Sequence, residues 1–160
     1  MNRLVYSVTM LFLLVPAILC TACYISEPDE SILSIRTDAT GYLPDDSMTV
    51  TFTNNSGREY LLQNSGCVTL DEKPLPRLTY ERRTGGRWID AGGPACPRIF
   101  VPPVGLDPGE SYSVTFRAYV IAMEFVPGLY RIRFYFSDAD GQPVPPDEQQ
   151  VSNTFHIRNV

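Results

Sequence analysis

Apolar and polar residues alternate over short stretches of this chain, and residues that favour turns separate the stretches. Met48, Val50 and Phe52 alternate with threonines, so the three apolar side chains share one face of a predicted strand. The same period of two, or a run of β-branched and aromatic residues, predicts strands at 32–37, 60–63, 78–83, 87–91, 112–119, 129–136 and 150–157. Only 120–125 could form a helical turn. The pattern predicts an all-β domain.

The turn residues between these stretches indicate how the strands connect. Thr84-Gly85-Gly86 predicts a hairpin between 78–83 and 87–91, and Pro108-Gly109 has the order that a type II turn requires. Asn54 to Gly57 reads as a turn by composition. Residues 92–104 contain four prolines and are expected to form a loop, with at most a short edge strand at 98–101.

The N-terminal segment has the order of an export signal. Arg3 precedes an uncharged apolar stretch from Leu4 to Cys20, and the small residue Ala22 comes directly before Cys23. The stretch falls short of the roughly 20 residues of a membrane anchor, and Pro16 interrupts it. Leu19 to Cys23 resembles a bacterial lipobox, which implies lipidation (palmitate included) of Cys23. The departure is Cys20, where an aliphatic residue is usual.

This assignment divides the chain into a signal peptide (1–22), a tether (23–31) and one domain (32–160). The tether is acidic and has little to bury. Plain secretion and an uncleaved anchor are the alternatives to a lipoprotein. A lipoprotein would be fixed in the bacterial cell envelope. In a host with two membranes, Tyr24 favours the outer membrane, because an Asp at that position commonly retains lipoproteins at the inner one.

Composition narrows the classes of partner and cofactor. The chain has 13 Lys and Arg against 18 Asp and Glu, a net charge of −5, which does not suit a nucleic-acid binder.

An exported domain with two cysteines, Cys67 and Cys96, is expected to form a disulfide between them. Because neither cysteine falls in a predicted strand, the bridge is expected to join two loops.

The order of several turn and core signals resembles a family of bacterial immunoglobulin-like domains common in envelope lipoproteins. The matching pieces are Asn54 to Ser56, Gly86 to Trp88, Leu106 to Ser111 and Pro127 to Arg131. Tyr130, two residues before the core position Ile132, resembles the tyrosine corner of such domains. The resemblance implies an immunoglobulin-like antiparallel β-sandwich of about seven strands. A more distant likeness is to bacterial intracellular proteinase inhibitors, which lack an export signal.

Catalytic and metal chemistry have weak support in the sequence. His156 is the single histidine, and no nucleophile motif accompanies it, so we expect no enzyme. Asp138 to Gly141 resembles the start of a calcium loop but lacks the later ligands, and hairpin-loop chemistry explains it better. We predict no metal site and no cofactor.

Two functions remain, each with its own candidate surface. The first is a structural or protein-binding module held at the envelope, which would bind an unidentified envelope protein or peptide. Its candidate face is a set of five arginines: Arg82, Arg83, Arg87, Arg131 and Arg133. Glu81, Asp90 and Asp138 lie close enough in sequence to neutralise them. The second is a protease inhibitor that presents the 92–104 loop, stapled at Cys96, in an extended form.

Overall fold

A computed structural model describes residues 32–94, 101–118, 126–137 and 144–158. The described chain is built from strands, and the one helical element that lies wholly within it is a 3₁₀ turn at Asp147–Gln149. The strands are β1 (Leu33–Thr37), β2 (Gly41–Tyr42), β3 (Ser47–Asn54), β4 (Tyr60–Leu62), β5 (Asn64–Val68), β6 (Pro74–Pro76), β7 (Leu78–Thr84), β8 (Arg87–Asp90), β9 (Val104–Leu106), β10 (Ser111–Arg117), β11 (Gly128–Phe134) and β12 (Phe155–Ile157). The all-β prediction is confirmed.

Two larger sheets carry most of these strands. One is three-stranded, in the order β1-β3-β10, and the other is five-stranded, in the order β2-β12-β11-β7-β8. Two small sheets, β4–β9 and β5–β6, complete the described topology. Every pairing is antiparallel except that of β2 with β12, which is parallel. An antiparallel fold was therefore predicted correctly for all but one pair.

The parallel pair arises because the first predicted strand is followed by a second short one. β1 lies at the edge of the three-stranded sheet, and the chain then reaches the other sheet, where Gly41 and Tyr42 pair with His156 and Ile157 of β12. The hydroxyl of Tyr42 donates to the Asp38 carboxylate and accepts from the backbone N–H of Ala39. These bonds fix the segment that crosses between sheets.

The two larger sheets bury their apolar faces against each other. The rings of Phe52 in β3 and Phe134 in β11 meet edge to face, 4.7 Å between centroids, and the Tyr80 hydroxyl of β7 reaches the Met48 sulfur of β3. Met48, Val50, Phe52, Ile132 and Phe134 are fully buried, as the alternation predicted. This apolar layer is the main source of stability.

Local turn chemistry is also confirmed at two sites. Gly85 and Gly86 have φ of 55° and 79°, the positive values that a two-residue hairpin turn needs. Gly109 has φ of 78°, and the Glu110 N–H donates to the Asp107 carbonyl at 3.0 Å. Those values define the predicted type II turn.

The Tyr130 side chain makes two contacts at the start of β11. The Tyr130 hydroxyl donates to the Val126 carbonyl four residues upstream, while its ring is buried and stacks on Phe155. Burial raises the pKa of this hydroxyl, because the ionised phenolate would lose its hydration. Tyr130 therefore ties the approach to β11 to the core.

The region between β3 and β7 differs from the sequence prediction. Cys67 lies in strand β5, which pairs with β6, and not in a loop. Farther along the chain, the sequence predicts a loop and then a turn at 104–106, but these residues form β9, which pairs with β4. Asn54 extends β3 into the predicted turn, because its buried side chain donates to the carbonyls of Arg58 and Leu106. These pairings join residues far apart in sequence, which local patterns do not report.

The last predicted strand, 150–157, is interrupted by a bulge. Tyr130 lies opposite Phe155, whereas Arg133 lies opposite Val151, so the last strand has one extra residue between the two pairs. The hydroxyl of Ser152 fills the gap by accepting from the Ile132 N–H. Strand 150–157 is therefore paired at both ends, but its regular part is only β12.

Candidate functional site

Strand register decides which predicted arginines share a face. Residues directly opposite each other in an antiparallel pair project to the same side of a sheet. Arg131 lies opposite Glu81, which lies opposite Asp90, and Arg83 lies opposite Trp88. These residues, with Arg133 two positions along β11, occupy the outer face of the five-stranded sheet. We call Glu81, Arg83, Trp88, Arg131 and Arg133 the arginine–tryptophan face.

The five predicted arginines do not form a single face. Arg82 lies opposite Tyr130 and Ile89, and Arg87 lies opposite Thr84, so both project to the other side of the hairpin. The stem of Arg82 packs beside Gly128, where a side chain at that position would meet it at 3.7 Å. Arg82 and Arg87 are thus separated from Arg83, Arg131 and Arg133 by the thickness of the sheet.

Glu81 holds two arginines at the centre of the face. The Nε–H of Arg131 donates to Oε2 and the Nε–H of Arg133 donates to Oε1, at 2.5 and 2.7 Å. The carboxylate is only 14% exposed, and the Arg131 and Arg133 side chains are 21% and 23% exposed. Because each arginine uses its Nε, the Nη groups of both remain as further donors, and one of Arg133 donates to the Asp147 carbonyl.

The ion pairs lower the pKa of the Glu81 carboxyl. Partial burial acts to raise this pKa, but the hydrogen bonds and positive charges of Arg133 and Arg131 outweigh it and hold the value below its usual range. Glu81 is therefore ionised at neutral pH, and one carboxylate neutralises one of the two guanidinium charges. Glu81, Arg131 and Arg133 together keep one unit of positive charge, which Asp90 opposite Glu81 offsets, and Arg83 adds another.

Trp88 connects the cluster of Glu81, Arg131 and Arg133, which we call the clamp, to the β7–β8 hairpin. Its ring is approached by the guanidinium of Arg131 at 4.5 Å and by that of Arg83 at 5.3 Å, both within the range of a cation–π contact. Trp88 is half-buried and Arg83 is exposed. The face thus presents guanidinium groups held in fixed positions by a carboxylate and an indole, an arrangement suited to binding carboxylates or phosphates.

Sequence reasoning missed one member of this face, Trp88, and a separate cation–π contact between Arg77 and Tyr135. Trp88 was not among the predicted site residues, although the two-residue turn at Gly85 and Gly86 places it opposite Arg83. At the far end of the sheet, the Arg77 guanidinium lies 4.9 Å from the Tyr135 ring, and the Tyr135 hydroxyl meets Thr79 at 3.1 Å. Counting residues outward from the glycine turn, back to Arg83 and forward to Trp88, would have found this contact.

Several predicted sites fall outside the described residues. These are the lipidation site Cys23, the second cysteine Cys96 with residues 95–100 of the predicted 92–104 loop, and the 138–141 loop. Cys67 is half-buried and packs against the core, and its pairing with Cys96 stays a prediction. His156 is exposed on β12, opposite Leu129.

The described ranges contain neither a metal-binding cluster nor a membrane-crossing helix. Over 32–94, 101–118, 126–137 and 144–158, no three His, Cys, Asp or Glu side chains gather in a way that could hold a metal ion. Within the same ranges, no helix combines the length and the apolar character needed to cross a membrane.

Comparisons with known proteins do not assign the chain to a family. No family model and no curated protein matches its sequence. Solved structures that resemble it include the alkylpurine DNA glycosylase AlkC of Pseudomonas fluorescens, bound to DNA with an abasic site analogue, at 10% identity and a TM-score of 0.37. The match covers 81% of this chain and 31% of the glycosylase, so the chain spans about a third of that protein.

Two further structures match at similar levels. A CARDB domain of Pyrococcus furiosus, in complex with di-metal ions, has 14% identity and a TM-score of 0.36 over 80% of this chain and 87% of that one. A β-glucosidase of Erythrobacter marinus has 16% identity and a TM-score of 0.36 over 78% of this chain and 15% of the enzyme. Similarities of this size carry no argument about activity.

Proposed function

We propose that this protein is a non-catalytic lipoprotein of the bacterial cell envelope whose immunoglobulin-like domain binds an envelope protein. The observation that carries the binding role is the arginine–tryptophan face. Arg131 and Arg133 are held by Glu81, and Trp88 orients Arg131 and Arg83. Ordering flexible arginines before a partner arrives reduces the entropy lost on binding.

The immunoglobulin-like assignment is supported by strand order. β12, β11, β7 and β8 are neighbours in one sheet, as strands G, F, C and C′ are in variable-type domains, and β1-β3-β10 corresponds to A, B and E. The bond from Tyr130 to the Val126 carbonyl has the geometry of the tyrosine corner. Ile132 takes the place of the second cysteine of antibody domains, so the predicted disulfide lies elsewhere.

The lipoprotein assignment rests on the sequence that precedes the domain. Leu19 to Cys23 supplies the processing signal, and the acidic residues of 24–31 separate the lipid from β1. Changing Cys23 to Ser should release the protein from membranes or leave the signal uncleaved. Mass spectrometry of the membrane fraction tests this, and an acylated, processed mass in the variant would contradict it.

Photo-crosslinking in intact cells tests the binding role. A photoreactive residue at position 83 should yield a discrete adduct with an envelope protein, because Arg83 is exposed on the proposed face. The matched control is position 51 in the three-stranded sheet, where Thr51 bonds to Ser113 on the opposite outer surface. No adduct, or equal adducts from both positions, would overturn the proposal.

A further inference from the structure

The outer strands of the three-stranded sheet are closed by side chains. At β1, the Leu33 N–H donates to Gln149 Oε1 and the Thr37 N–H donates to Asn153 Oδ1. At β10, the Thr115 N–H donates to the Asp71 carboxylate, and Lys73 donates to the Ser113 carbonyl at 2.7 Å. These contacts occupy backbone groups that another strand would otherwise pair with.

β8, at the end of the five-stranded sheet, has a different edge. The two-residue turn makes Thr84–Arg87 and Arg82–Ile89 the hydrogen-bonded pairs of the hairpin, and the Ala91 N–H continues the series by donating to the Tyr80 carbonyl. The backbone groups of Trp88 and Asp90 therefore point away from β7. Among the described residues, no strand pairs with this edge.

We propose that an extended acidic segment of a protein partner adds to β8 as a further strand. This inference rests on the proposed function and specifies its partner. Backbone groups of Trp88 and Asp90 would pair with the segment, as in other complexes formed by strand addition. The available edge favours a polypeptide over an anionic glycan, which has no matching row of amide groups.

The side chains beside this edge define the sequence of the partner. On the outer side, Arg83 is exposed, and no described carboxylate forms an ion pair with it, since Glu81 is taken by Arg131 and Arg133. On the other side, Ile89 is 41% exposed. A strand next to β8 would therefore place acidic residues near Arg83 and apolar residues near Ile89, in alternation.

Asp90 limits where the acidic residues can lie. It shares the outer side with Trp88, is exposed, and accepts the Gly92 N–H at 2.6 Å. A carboxylate of the partner beside Asp90 would be repelled, so the acidic residues belong at the end of β8 near the turn. Asp90→Asn retains the acceptor oxygen and removes the repulsion.

A peptide titration of the full-length protein in detergent tests the inference. The probe is a capped eight-residue peptide of alternating Glu and Val, and Trp88, the single tryptophan of the chain, reports binding by its fluorescence. A saturable change is expected with this peptide and none with a Lys-Val peptide. The same Glu-Val peptide with every backbone N–H methylated should not bind, because it keeps its charges but has no backbone donors, and its methyl groups obstruct close approach to β8.

Variants separate the role of charge at β8 from general electrostatics. Arg83→Glu should weaken binding of the Glu-Val peptide by about tenfold or more, and Asp90→Asn should strengthen it about two- to threefold. Arg58→Glu, the same charge reversal at an exposed site on the loop after β3, should change the dissociation constant by less than about twofold.

Each contrary result has a definite meaning. Equal binding of the methylated peptide would overturn strand addition, and equal binding of the Lys-Val peptide would overturn the acidic partner. Absence of any binding would overturn the inference as a whole. If the adduct at position 83 forms in cells while the peptide does not bind, only this inference fails, and the proposed function stands.

Discussion

The two outer surfaces of this domain are built on the same alternation but carry different chemistry. On the three-stranded sheet, hydroxyl side chains of β3 and β10 pair across the strands as Thr49–Thr115, Thr51–Ser113 and Thr53–Ser111, at 3.1, 2.9 and 3.0 Å. We call these six residues the hydroxyl face. On the five-stranded sheet, the arginine–tryptophan face joins three strands through one carboxylate and one indole.

The difference shows how far the core constrains the surface. Beneath the hydroxyl face lies Phe52, and beneath the arginine–tryptophan face lies Phe134, and these rings touch. Equivalent inner packing therefore supports two unrelated outer faces. The hydroxyl pairs satisfy one another between two strands, whereas the arginine side chains carry excess charge that a ligand can use.

The core beneath both faces should respond in the same way to truncation. Phe134→Ala and Phe52→Ala should each lower the free energy of unfolding by about 3–5 kcal/mol, because each removes a fully buried ring and leaves a cavity. Chemical denaturation measures both. A midpoint that barely moves for one variant would mean that the two inner faces are not equivalent.

Removal of the Glu81 charge should affect only one face. Glu81→Gln leaves Arg131 and Arg133 without their shared carboxylate, and we expect a loss of roughly 1.5–3 kcal/mol, the range for hydrogen bonds to charged groups. Denaturation gives the stability, and Trp88 fluorescence reports the release of Arg131 from the ring. Unchanged stability together with unchanged fluorescence would show that the clamp does not order the face.

Acid should reproduce part of this effect through the Glu81 carboxyl. Its pKa is lowered in the folded protein, so its contribution is fully present above the unfolded value of about 4.3 and is lost as the pH falls through the folded value. The free energy of unfolding, measured from pH 6 to pH 2, should therefore fall less steeply below about pH 4.3 for Glu81→Gln than for the wild type. Parallel curves would contradict the assignment.

The parts of the fold that follow from neighbouring residues could be predicted from the sequence. Met48, Val50 and Phe52 share a face because the period of a strand is two, and Pro108-Gly109 forms its turn because proline fixes one angle and glycine accepts the next. The pairing of β4 with β9 could not be predicted in this way. It joins Tyr60 to Leu106, and nothing near either residue specifies the other.

The same limit applies to the candidate site: a contact within one hairpin could be predicted from the sequence, and a contact between distant strands could not. The contact of Arg83 with Trp88 follows from the length of one hairpin turn, so the sequence contained it. The clamp at Glu81 depends on β11 lying next to β7, and these strands are separated by β8, β9 and β10 along the chain. The sequence placed Glu81 near the arginines as a neutralising charge, but only the register shows that one carboxylate binds two of them.

The hydroxyl face should show the smallest effect of all. Thr51→Val removes the bond to Ser113 but keeps the shape of the side chain and its preference for a strand, so a loss of no more than about 1 kcal/mol is expected. Position 51 is only half-buried, so in the variant a water molecule can take the place of the Thr51 hydroxyl as the partner of Ser113. Denaturation gives the stability, and the acidic peptide titration should be unchanged, since position 51 lies on the opposite surface. A large loss of stability would mean that the hydroxyl pairs hold β3 and β10 together, and weakened peptide binding would mean that the two faces are coupled through the Phe52–Phe134 contact.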